Sequence, residues 1–539
     1  MEGRTLRFPR FLVLLPLAAM LFAASASAQG TTVTVDTLSL VGRSAPEEGY
    51  LSLMNLDRLI VGPRSSGMGG TGIAIQGGSE YLTLNPASIL GMTRIELQAE
   101  GHYLVGGAGV NRFPRLIDVG GGQFLDASNY RVSPGSGFSY NSLTFGSPVV
   151  LFGGRGAVSF GFTHTSRTGR SDESRSELVG PVTNNLESTY GLGRNSEQGM
   201  DAISGTIARS FGILDLGTTF NWKSGKLRRE DEAGVTVFGF QILGSNTKYE
   251  QEVKAFNIDL GAQADLGPLR VGGSLFLGHD MEYSNGFASV RPLPNPQFPN
   301  EQFLIFYGLQ NHTVKVPTMF GVGASYQLSD RMLLAGDYWG RPWSGVTMER
   351  GALTPVFGFE DVADSSTFFW ALTEGEGTEE VDMQLSDTNS LRLGLEYLAS
   401  NRENFKLPVR LGFRKEKLTR NNINVPQEYT RQDQLILAYW RQLIAGDPSA
   451  EVTETQLADL FEHNILMFQG TPINTTVISL GAGVEIDNFG ADLGIELQNF
   501  TINNFFLDDY DPLTNNLPPT ITEETRRLLT MSIAVRWKF

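Results

Sequence analysis

The chain has 539 residues, a net charge of −16 and no cysteine. The acidic balance argues against nucleic acid as a partner, because binding a phosphate backbone needs a basic surface. The length is too great for one ordinary soluble domain, yet no linker divides the chain in two. Without cysteine, we expect neither disulfides nor a lipoprotein anchor.

The first 28 residues have the pattern of a cleaved secretory signal peptide. A basic start, a short apolar run and an A-x-A cleavage site follow one another as Arg4, Arg7 and Arg10, residues 11–24, and Ala26-Ser27-Ala28. The small residues directly after the apolar run favour cleavage over a retained anchor. Beyond them, no stretch approaches the roughly 18 continuous apolar residues of a transmembrane helix. The sequence therefore predicts an exported protein without a membrane-spanning helix.

Residues 29–92 precede the first predicted strand. They contain two motifs, Arg64-Ser-Ser-Gly67-Met68-Gly69-Gly70 and Tyr81-Leu-Thr-Leu-Asn85-Pro86-Ala87. Glycine allows positive φ angles and close backbone packing, and an Asn-Pro pair favours an extended-to-turn conformation. A phosphate-binding loop is disfavoured, because the glycines lack a following Gly-Lys-Ser/Thr and no βαβ pattern surrounds them.

From residue 93 onward, apolar and polar residues alternate in short runs. The last run is the clearest, with one face formed by Leu529, Met531, Ile533, Val535, Trp537 and Phe539. This period of two is typical of strands that have one face in lipid and the other toward a polar lumen. The pattern predicts strands near residues 93–104, 137–148, 157–166, 199–211, 215–228, 252–266, 269–281, 316–329, 331–345, 388–400, 406–418, 475–487, 490–504 and 526–539.

The connections between these strands alternate between short and long without exception. The short ones lie at residues 153–156, 212–214, 267–268, 329–330, 400–405 and 488–489. Bacterial outer-membrane barrels pair short periplasmic turns with long external loops, and a soluble β-sandwich has no reason for such regularity. The sequence therefore predicts an all-β fold, a 14-stranded antiparallel transmembrane β-barrel over residues 93–539. Residues 29–92 then form an N-terminal plug or a periplasmic segment.

Six charged residues fall on the predicted inward faces of the later strands. They are Arg392, Glu396, Arg410, Arg414, Asp492 and Glu496. A charge facing lipid near the bilayer midplane costs about 2–4 kcal/mol, so these side chains are expected inside the barrel. There they either neutralise one another in a lumenal ion-pair network, which we favour, or form a polar track for a substrate.

Two predicted external loops contain apolar groups that are candidates for ligand contact. Residues 453–468 have the period of an amphipathic helix whose apolar face includes Leu457, Leu460 and Phe461. A second group, Phe368, Phe369 and Trp370, lies in an acidic stretch from residue 351 to 391. The first group either lines a hydrophobic groove or packs its loop onto the barrel mouth. For the acidic stretch, a solvated loop is favoured over a Ca²⁺ or Mg²⁺ site.

The motifs of residues 29–92 resemble the lumenal hatch of the FadL-type outer-membrane transporters of long-chain fatty acids and other hydrophobic compounds. The matching positions are Gly67, Gly69, Gly70, Asn85, Pro86 and Ala87. They are equally similar to the related PorV-type barrel of type IX secretion systems. A proline-led hairpin adds to the resemblance with Val316-Pro317, Asp337-Tyr338-Trp339 and Trp343-Ser344. Two departures from the family pattern are Ser88 in place of glycine and Gly78-Ser79-Glu80-Tyr81 in place of an acidic pair before the aromatic residue.

The resemblance implies a hatch inside the barrel, external grooves that capture the ligand, and a hatch movement that passes the ligand to a lateral gap between strands. It implies a hydrophobic small molecule, outer-membrane lipids and lipopolysaccharide as partners of a monomeric protein without cofactor or metal. The terminal aromatic residues Trp537 and Phe539 resemble the signal read by the barrel-assembly machinery, which is a further expected partner. The expected location is the bacterial outer membrane.

An enzyme is the least favoured class. The five histidines are scattered singly along the chain, and neither a G-x-S-x-G nucleophile motif nor an H-E-x-x-H metal motif is present. The sequence therefore favours a transporter of hydrophobic compounds. The alternative is a secretion-associated scaffold barrel, and an outer-membrane hydrolase is a distant third.

Overall fold

The computed structural model describes residues 62–105, 109–112, 116–120, 123–126, 129–132, 137–178, 188–237, 240–292, 305–309, 311–362, 365–382, 385–418, 473–506 and 520–539. Its helical elements are short: an α-helix, α1 (Pro63–Gly67), and 3₁₀ turns at Ser79–Tyr81, Pro86–Gly91 and Trp343–Gly345. Among the described residues, no helix is long and apolar enough to cross a membrane.

Strands make up nearly all the rest. The first ten are β1 (Glu96–Val105), β2 (Gly109–Arg112), β3 (Leu116–Gly120), β4 (Gln123–Asp126), β5 (Asn129–Val132), β6 (Gly137–Leu151), β7 (Gly154–Leu178), β8 (Ser188–Phe211), β9 (Leu214–Val237) and β10 (Phe240–Leu266). The others are β11 (Leu269–Phe276), β12 (His279–Pro292), β13 (Ile305–Leu309), β14 (His312–Val316), β15 (Met319–Ser329), β16 (Met332–Arg341), β17 (Thr347–Val362), β18 (Ser365–Asp382), β19 (Thr388–Arg402), β20 (Phe405–Leu418), β21 (Ile473–Ile486), β22 (Phe489–Phe506) and β23 (Thr520–Lys538).

All strands except the β3–β4 hairpin belong to one closed antiparallel sheet. Closure occurs at β1, where Glu96 lies opposite Gly146 of β6 on one side and opposite Lys538 of β23 on the other. Six barrel strands are built from successive segments, namely β1–β2, β5–β6, β11–β12, β13–β15, β16–β17 and β18–β19. The described segments thus form 14 barrel strands, and the predicted strand number is confirmed.

The two faces of the barrel differ in polarity as the alternation predicted. On β19, Leu391 and Leu393 are about half exposed, whereas Arg392 between them is 3% exposed. On β21, Ile478 and Leu480 are exposed while Ser479 is buried. A strand with this pattern places its apolar side chains outside the barrel, where lipid covers them, and its polar side chains in the lumen. The protein is a transmembrane β-barrel.

At one end of the barrel, two-residue turns connect adjacent strands, and we call it the short-turn end. In these turns Phe152 and Asp487 have positive φ angles of 46° and 52°, as do the turn glycines Gly153, Gly212 and Gly267. Positive φ is what tight hairpins require. Strand bounds at this end lie within three residues of the predicted ones.

At the opposite end the predicted bounds are wrong, because the strands continue much farther. β9 continues to Val237 and β10 begins at Phe240, although the prediction placed residues 229–251 in a loop. Most of residues 351–391, also predicted as a loop, forms the β17–β18 hairpin and the start of β19. Beyond the bilayer both faces of a strand meet water, so pairing continues without the alternation that marks a lipid-facing strand.

Residues 62–95, which we call the inner segment, run along the inside of the barrel wall. Helix α1 contacts β20, β21, β22 and β23, and the 3₁₀ turn Pro86–Gly91 contacts β7, β8, β9 and β10. Between them, Ile73 lies against Gly272 of β11 and Gly321 of β15. The segment therefore passes around the lumen in the direction opposite to the strand order and then enters β1.

Candidate functional site

The inner segment lies on a row of inward-facing wall glycines. We call these residues the glycine belt: Gly217, Gly261, Gly272, Gly323, Gly394, Gly412, Gly481 and Gly494. At each one, an added Cβ would press on the inner segment or on the side chain that anchors it. A Cβ at Gly272 would lie 2.5 Å from the Ile73 carbonyl oxygen, and one at Gly394 would lie 2.5 Å from the Met68 carbonyl oxygen. Only glycine allows the two backbones to approach this closely.

The first motif forms α1 and the turn that follows it. Gly69 and Gly70 have φ angles of 71° and 84°, a region that other residues rarely adopt. An added Cβ at Gly69 would also collide with the backbone of Phe413 on β20. Gly67 lies directly against Gly481 of β21. Conformation and close packing therefore both require glycine here.

The second motif ties the inner segment to itself and to the wall. The Asn85 side chain accepts a hydrogen bond of 3.0 Å from the Ala87 amide, which caps the 3₁₀ turn that begins at Pro86. Its amide nitrogen donates to the Ile73 carbonyl at 2.7 Å and to the Ala262 carbonyl of β10 at 3.0 Å. Asn85 is fully buried. Its one side chain therefore provides hydrogen-bond partners for three backbone groups inside the barrel.

Wall side chains bind much of the remaining irregular backbone. The Asp337 carboxylate on β16 accepts hydrogen bonds from the amides of Gly72 at 2.7 Å and Ile73 at 3.1 Å. Gln263 donates to the Ile73 carbonyl at 2.8 Å, and Ser325 donates to the Ala74 carbonyl at 2.7 Å. Non-helical backbone at membrane depth needs such partners, because no lipid group can replace them.

Seven charged groups join α1 and the 3₁₀ turn at Glu80 to the wall, and we call them the ionic cluster: Arg64, Glu80, Glu396, Arg410, Glu485, Asp492 and Arg536. Arg64 pairs with Glu80 at 2.7 Å and with Glu396 at 2.8 Å. Glu80 in turn pairs with Arg536 at 2.6 Å. Three cations face four anions, so the buried charges are closely balanced.

Glu80 stays ionised in this setting. Burial disfavours its charged form, but the guanidinium groups of Arg536 and Arg64 outweigh that effect and lower the pKa of Glu80 to about 2. Tyr81, beside it, stays protonated because burial raises its pKa. The contact between the inner segment and the wall is therefore a fully charged one at neutral pH.

The structure places the six charges singled out in the sequence as follows. Glu396, Arg410 and Asp492 belong to the ionic cluster, with Arg410 bonded to both carboxylates at 2.6 Å. Arg414 pairs with Glu496 at 3.2 Å within the wall. Arg392 instead donates to the Gly70 carbonyl at 2.8 Å and lies over the Trp339 ring. Sequence reasoning missed Arg64, Glu80 and Arg536, because alternation shows which face a residue is on but not its partner.

A lumenal apolar cluster lies on the other side of the barrel. It joins inner-segment residues to inward-facing wall residues that include Phe276, Met281, Tyr283, Val314, Val316, Met319, Trp339, Trp343, Val346, Met348 and Leu385. The Phe276 and Trp339 rings lie 5.3 Å apart, and Trp343 is fully buried. The signal in the sequence is that β15 and β16 each contain two adjacent large apolar residues, Met319-Phe320 and Tyr338-Trp339, so that both faces are apolar at those positions. The sequence analysis did not use it.

The ligand-contact residues predicted from the sequence lie elsewhere in the chain, and the described structure does not show whether they contact this cluster. Leu457, Leu460 and Phe461 lie outside the described residues, as does the predicted helix that contains them. The backbone of Phe368, Phe369 and Trp370 is part of β18, but their side chains are outside the described part of the structure. They remain predictions.

A cavity of about 70 Å³ separates the inner segment from the wall next to the apolar cluster. Its lining combines apolar residues such as Leu84, Phe276 and Trp339 with polar side chains of β7–β10 such as Asn221, Asn257 and Asp259. An apolar cavity that binds benzene measures about 150 Å³. A ring-sized molecule therefore fits here only if the inner segment shifts.

Within the described ranges, no group of three or more His, Asp or Glu side chains is placed to hold a metal ion. His164 lies beside Asp201 on the strand next to its own, with Nδ1 2.5 Å from a carboxylate oxygen. His312 stacks on Tyr283 with ring centroids 4.7 Å apart.

Neither the models of known protein families nor the sequences of curated proteins match this chain. Solved structures do. A FadL homologue of Pseudomonas aeruginosa is 10% identical, with a TM-score of 0.50 over 89% of this chain and 98% of that one. The deltaS2 mutant of the TodX monoaromatic hydrocarbon channel is 13% identical, with a TM-score of 0.50 and the same two coverages. The toluene transporter TbuX of Ralstonia pickettii is 14% identical, with a TM-score of 0.47 over 90% of this chain and all of that one.

The fold defines a class, the 14-stranded transmembrane barrels. Within that class, the chain has the fold of the FadL-type structures, and the likeness covers nearly the whole length of both chains. The fold resemblance expected from residues 29–92 and from the strand plan is thereby confirmed.

Proposed function

We propose that this protein is a channel of the bacterial outer membrane for the uptake of hydrophobic compounds, and that the inner segment is its hatch. The observation that carries the proposal is the position of residues 62–95 inside the barrel, beside a buried cluster of aromatic and methionine side chains. A water-filled porin has a polar lumen. An apolar lining beside a removable plug suits a ligand that leaves water at one end and passes along apolar surface.

The contacts of the hatch support a part that can be displaced without unfolding the barrel. Up to Arg94, its described bonds to the wall involve side chains, as in the hydrogen bonds and ion pairs at Asp337, Asn85 and Arg64. At its end, where it enters β1, a backbone bond from the Phe539 amide to the Ile95 carbonyl joins it to the strand ladder. Gly67, Gly69, Gly70, Asn85, Pro86 and Ala87, which lie in close contact with the wall, are proposed as the gating residues.

The size of the cavity supports a ligand-coupled opening. At about 70 Å³ it is too small for a single aromatic ring. Leu84 forms its hatch side, so a ligand that enters must push that side away from Phe276 and Trp339. The apolar area that the ligand covers in the cluster can offset the hatch contacts that break.

The proposed role also suggests partners, ligand-capture residues and substrates. The exposed terminal residues Trp537 and Phe539 are proposed to be read by the barrel-assembly machinery, with outer-membrane lipids and lipopolysaccharide around a monomeric barrel. Phe368, Phe369, Trp370, Leu457, Leu460 and Phe461 are proposed to capture the ligand outside. Long-chain fatty acids are one candidate substrate, and monoaromatic hydrocarbons, which the TodX channel is described as carrying, are another.

Two measurements on the intact protein test the proposal. Gently purified protein, analysed by native mass spectrometry, should carry bound lipid or another hydrophobic compound. Cells that express it should take up a radiolabelled alkylbenzene or fatty acid faster than cells with an empty vector. An empty barrel that gives no uptake and purifies with a large secretion complex would instead support the scaffold alternative.

A further inference from the structure

We propose that the cavity beside Leu84 selects uncharged hydrophobic compounds that carry a hydroxyl group, and that Asn257 recognises the hydroxyl. The inference rests on the proposed function, because it names the substrate class for the space between the hatch and the wall. It is carried by a chain of hydrogen bonds among the polar lining residues of β8, β9 and β10.

The hydrogen bonds fix the orientation of each group in the chain. Ser204 donates to the Asn221 amide oxygen at 2.6 Å, and the Asn221 amide nitrogen donates to one Asp259 oxygen at 2.8 Å. The other Asp259 oxygen accepts from the Asn257 amide nitrogen at 2.7 Å. Since a carboxylate only accepts, Asn257 must present its nitrogen to Asp259. Its Oδ1 is therefore the free end of the chain, and it is an acceptor.

This acceptor is buried and lacks a donor. Asn257 is 4% exposed, and among the described residues no donor lies within hydrogen-bond distance of its Oδ1. Asn257 also lines the cavity. A buried acceptor that no protein donor satisfies is unfavourable, so a ligand that moves the hatch side and brings a donor to Oδ1 gains a bond that the described side chains do not supply.

The apolar part of the lining determines the rest of the ligand. Leu84, Phe276 and Trp339 present apolar surface to the cavity, and Phe276 lies beside Asp259 on the adjacent strand. A ligand that meets both the polar and the apolar residues has an apolar body and a hydrogen-bond donor at its edge. A plain hydrocarbon leaves the Asn257 oxygen unpaired, and a carboxylate has no proton to donate at neutral pH and would face the Asp259 carboxylate.

Two cations also line the cavity, and they are the groups that would favour a carboxylate. The Arg392 guanidinium is already bonded to the Gly70 carbonyl at 2.8 Å and to the Ser390 hydroxyl at 3.1 Å. Lys223, two residues beyond Asn221 on β9, is partly exposed. A carboxylate must therefore be one of the ligands compared.

The test measures the affinity of full-length protein in nanodiscs for butylphenol, butylbenzene, butylanisole and butylbenzoate, which share one apolar body. We expect wild type to bind butylphenol about three- to tenfold more tightly than butylbenzene, the range for one neutral hydrogen bond. Butylanisole, which keeps the oxygen but has no donor, should bind no better than butylbenzene, and butylbenzoate should bind no better than either. Asn257→Leu should keep the affinity for butylbenzene and lose the preference for butylphenol. Asn141→Leu, at a buried asparagine of β6 outside the cavity, should keep that preference.

Three results would overturn the inference while the proposed function stands: equal binding of butylphenol and butylanisole by wild type, tighter binding of butylbenzoate, or an unchanged preference in Asn257→Leu. The ether comparison needs no variant, so it decides the question even if Asn257→Leu does not fold. If wild type binds none of the four compounds, the inference fails, and the proposed function is decided by the bound-lipid and uptake measurements given above.

Discussion

Arg64 and Glu396 are 332 positions apart in the chain and meet inside the barrel as a two-point ion pair, with Nε 2.9 Å and Nη2 2.8 Å from the two carboxylate oxygens. Arg64 is part of the inner segment, and Glu396 lies on β19. Parallel hydrogen bonds between a guanidinium and a carboxylate fix orientation as well as distance. The pair therefore holds the beginning of the proposed hatch at one place on the wall.

Glu396→Gln should loosen this part of the inner segment. The substitution removes the carboxylate that pairs with both Arg64 and Arg410. Leaving buried cations without their counter-charge costs about 3–5 kcal/mol. The measurement is maleimide labelling of a Ser66→Cys background, because the chain has no other cysteine. Labelling should become at least about tenfold faster, since each 1.4 kcal/mol is a factor of ten.

Glu496→Gln is the matched control for that experiment. Glu496 on β22 is equally buried and pairs with Arg414 of β20, across β21 and within the wall. Its removal should leave the labelling rate of Ser66→Cys close to that of wild type. Equal rates in the two variants would show that the pair with Arg64 does not hold the segment.

The glycine belt should tolerate no side chain under the inner segment. In Gly412→Ala the new methyl group would collide with the backbone of Met68 and Gly69, and overpacking of this kind costs about 1–3 kcal/mol. We expect the segment to be pushed off the wall, so that single channels in planar bilayers conduct ions more often than wild type. Gly205→Ala is the control, because a Cβ at Gly205 meets nothing within 4 Å. If Gly412→Ala conducts no more often than wild type, the close contact between Gly412 and the inner segment is contradicted.

Asp337 should act as an acceptor of two backbone hydrogen bonds. Asp337→Asn keeps one neutral acceptor and Asp337→Ala keeps none, so protection of the Gly72 and Ile73 amides should fall in the order wild type, Asn, Ala. Hydrogen bonds to a charged group contribute about 1.5–3 kcal/mol, and hydrogen exchange read by mass spectrometry resolves such differences. Asp265→Asn, at an exposed carboxylate bonded to Arg270, is the control that should change nothing. Equal exchange in all variants would show that Asp337 does not hold the Gly72 and Ile73 amides.

Acid should weaken the hold of Glu80. Its pKa in the folded protein is about 2, below the 4.5 of a free glutamate, so its contribution is complete above pH 4.5 and is lost as the pH falls toward 2. Wild-type conductance in planar bilayers should rise over that interval. Glu80→Gln should show open events already at neutral pH and a weaker response to acid. A variant that stays closed at pH 7 would show that the Glu80 charge is not needed.

The barrel wall could be predicted from the sequence because lipid imposes a period of two on every spanning strand. The run from Leu529 to Phe539 shows that period, and its alternate residues lie on opposite faces as expected. Outside the bilayer the constraint ends, so the extensions of β9 and β10 carried no recognisable signal. The turns at Gly212 and Gly267 were found because positive φ angles select glycine.

The site could be predicted only in part. The glycines of the first motif and Asn85-Pro86-Ala87 stood out because backbone conformation restricts their type. The partners of Arg64 and the role of Asp337 depend on which wall positions face the inner segment, and local pattern holds no record of that. The Asn257 acceptor depends in addition on the hydrogen bonds of two neighbouring strands.

The central claim is that hydrophobic compounds pass through the lumen only when the inner segment leaves the wall. The hydroxyls of Ser66 on α1 and Ser532 on β23 lie 3.4 Å apart, so Ser66→Cys with Ser532→Cys gives one disulfide across the two parts, in a chain that has no other cysteine. Uptake of a radiolabelled alkylbenzene by cells with this double variant should fall to the empty-vector level after oxidation and recover after reduction, while Ser532→Cys alone is unaffected. Undiminished uptake with the disulfide formed would contradict the claim.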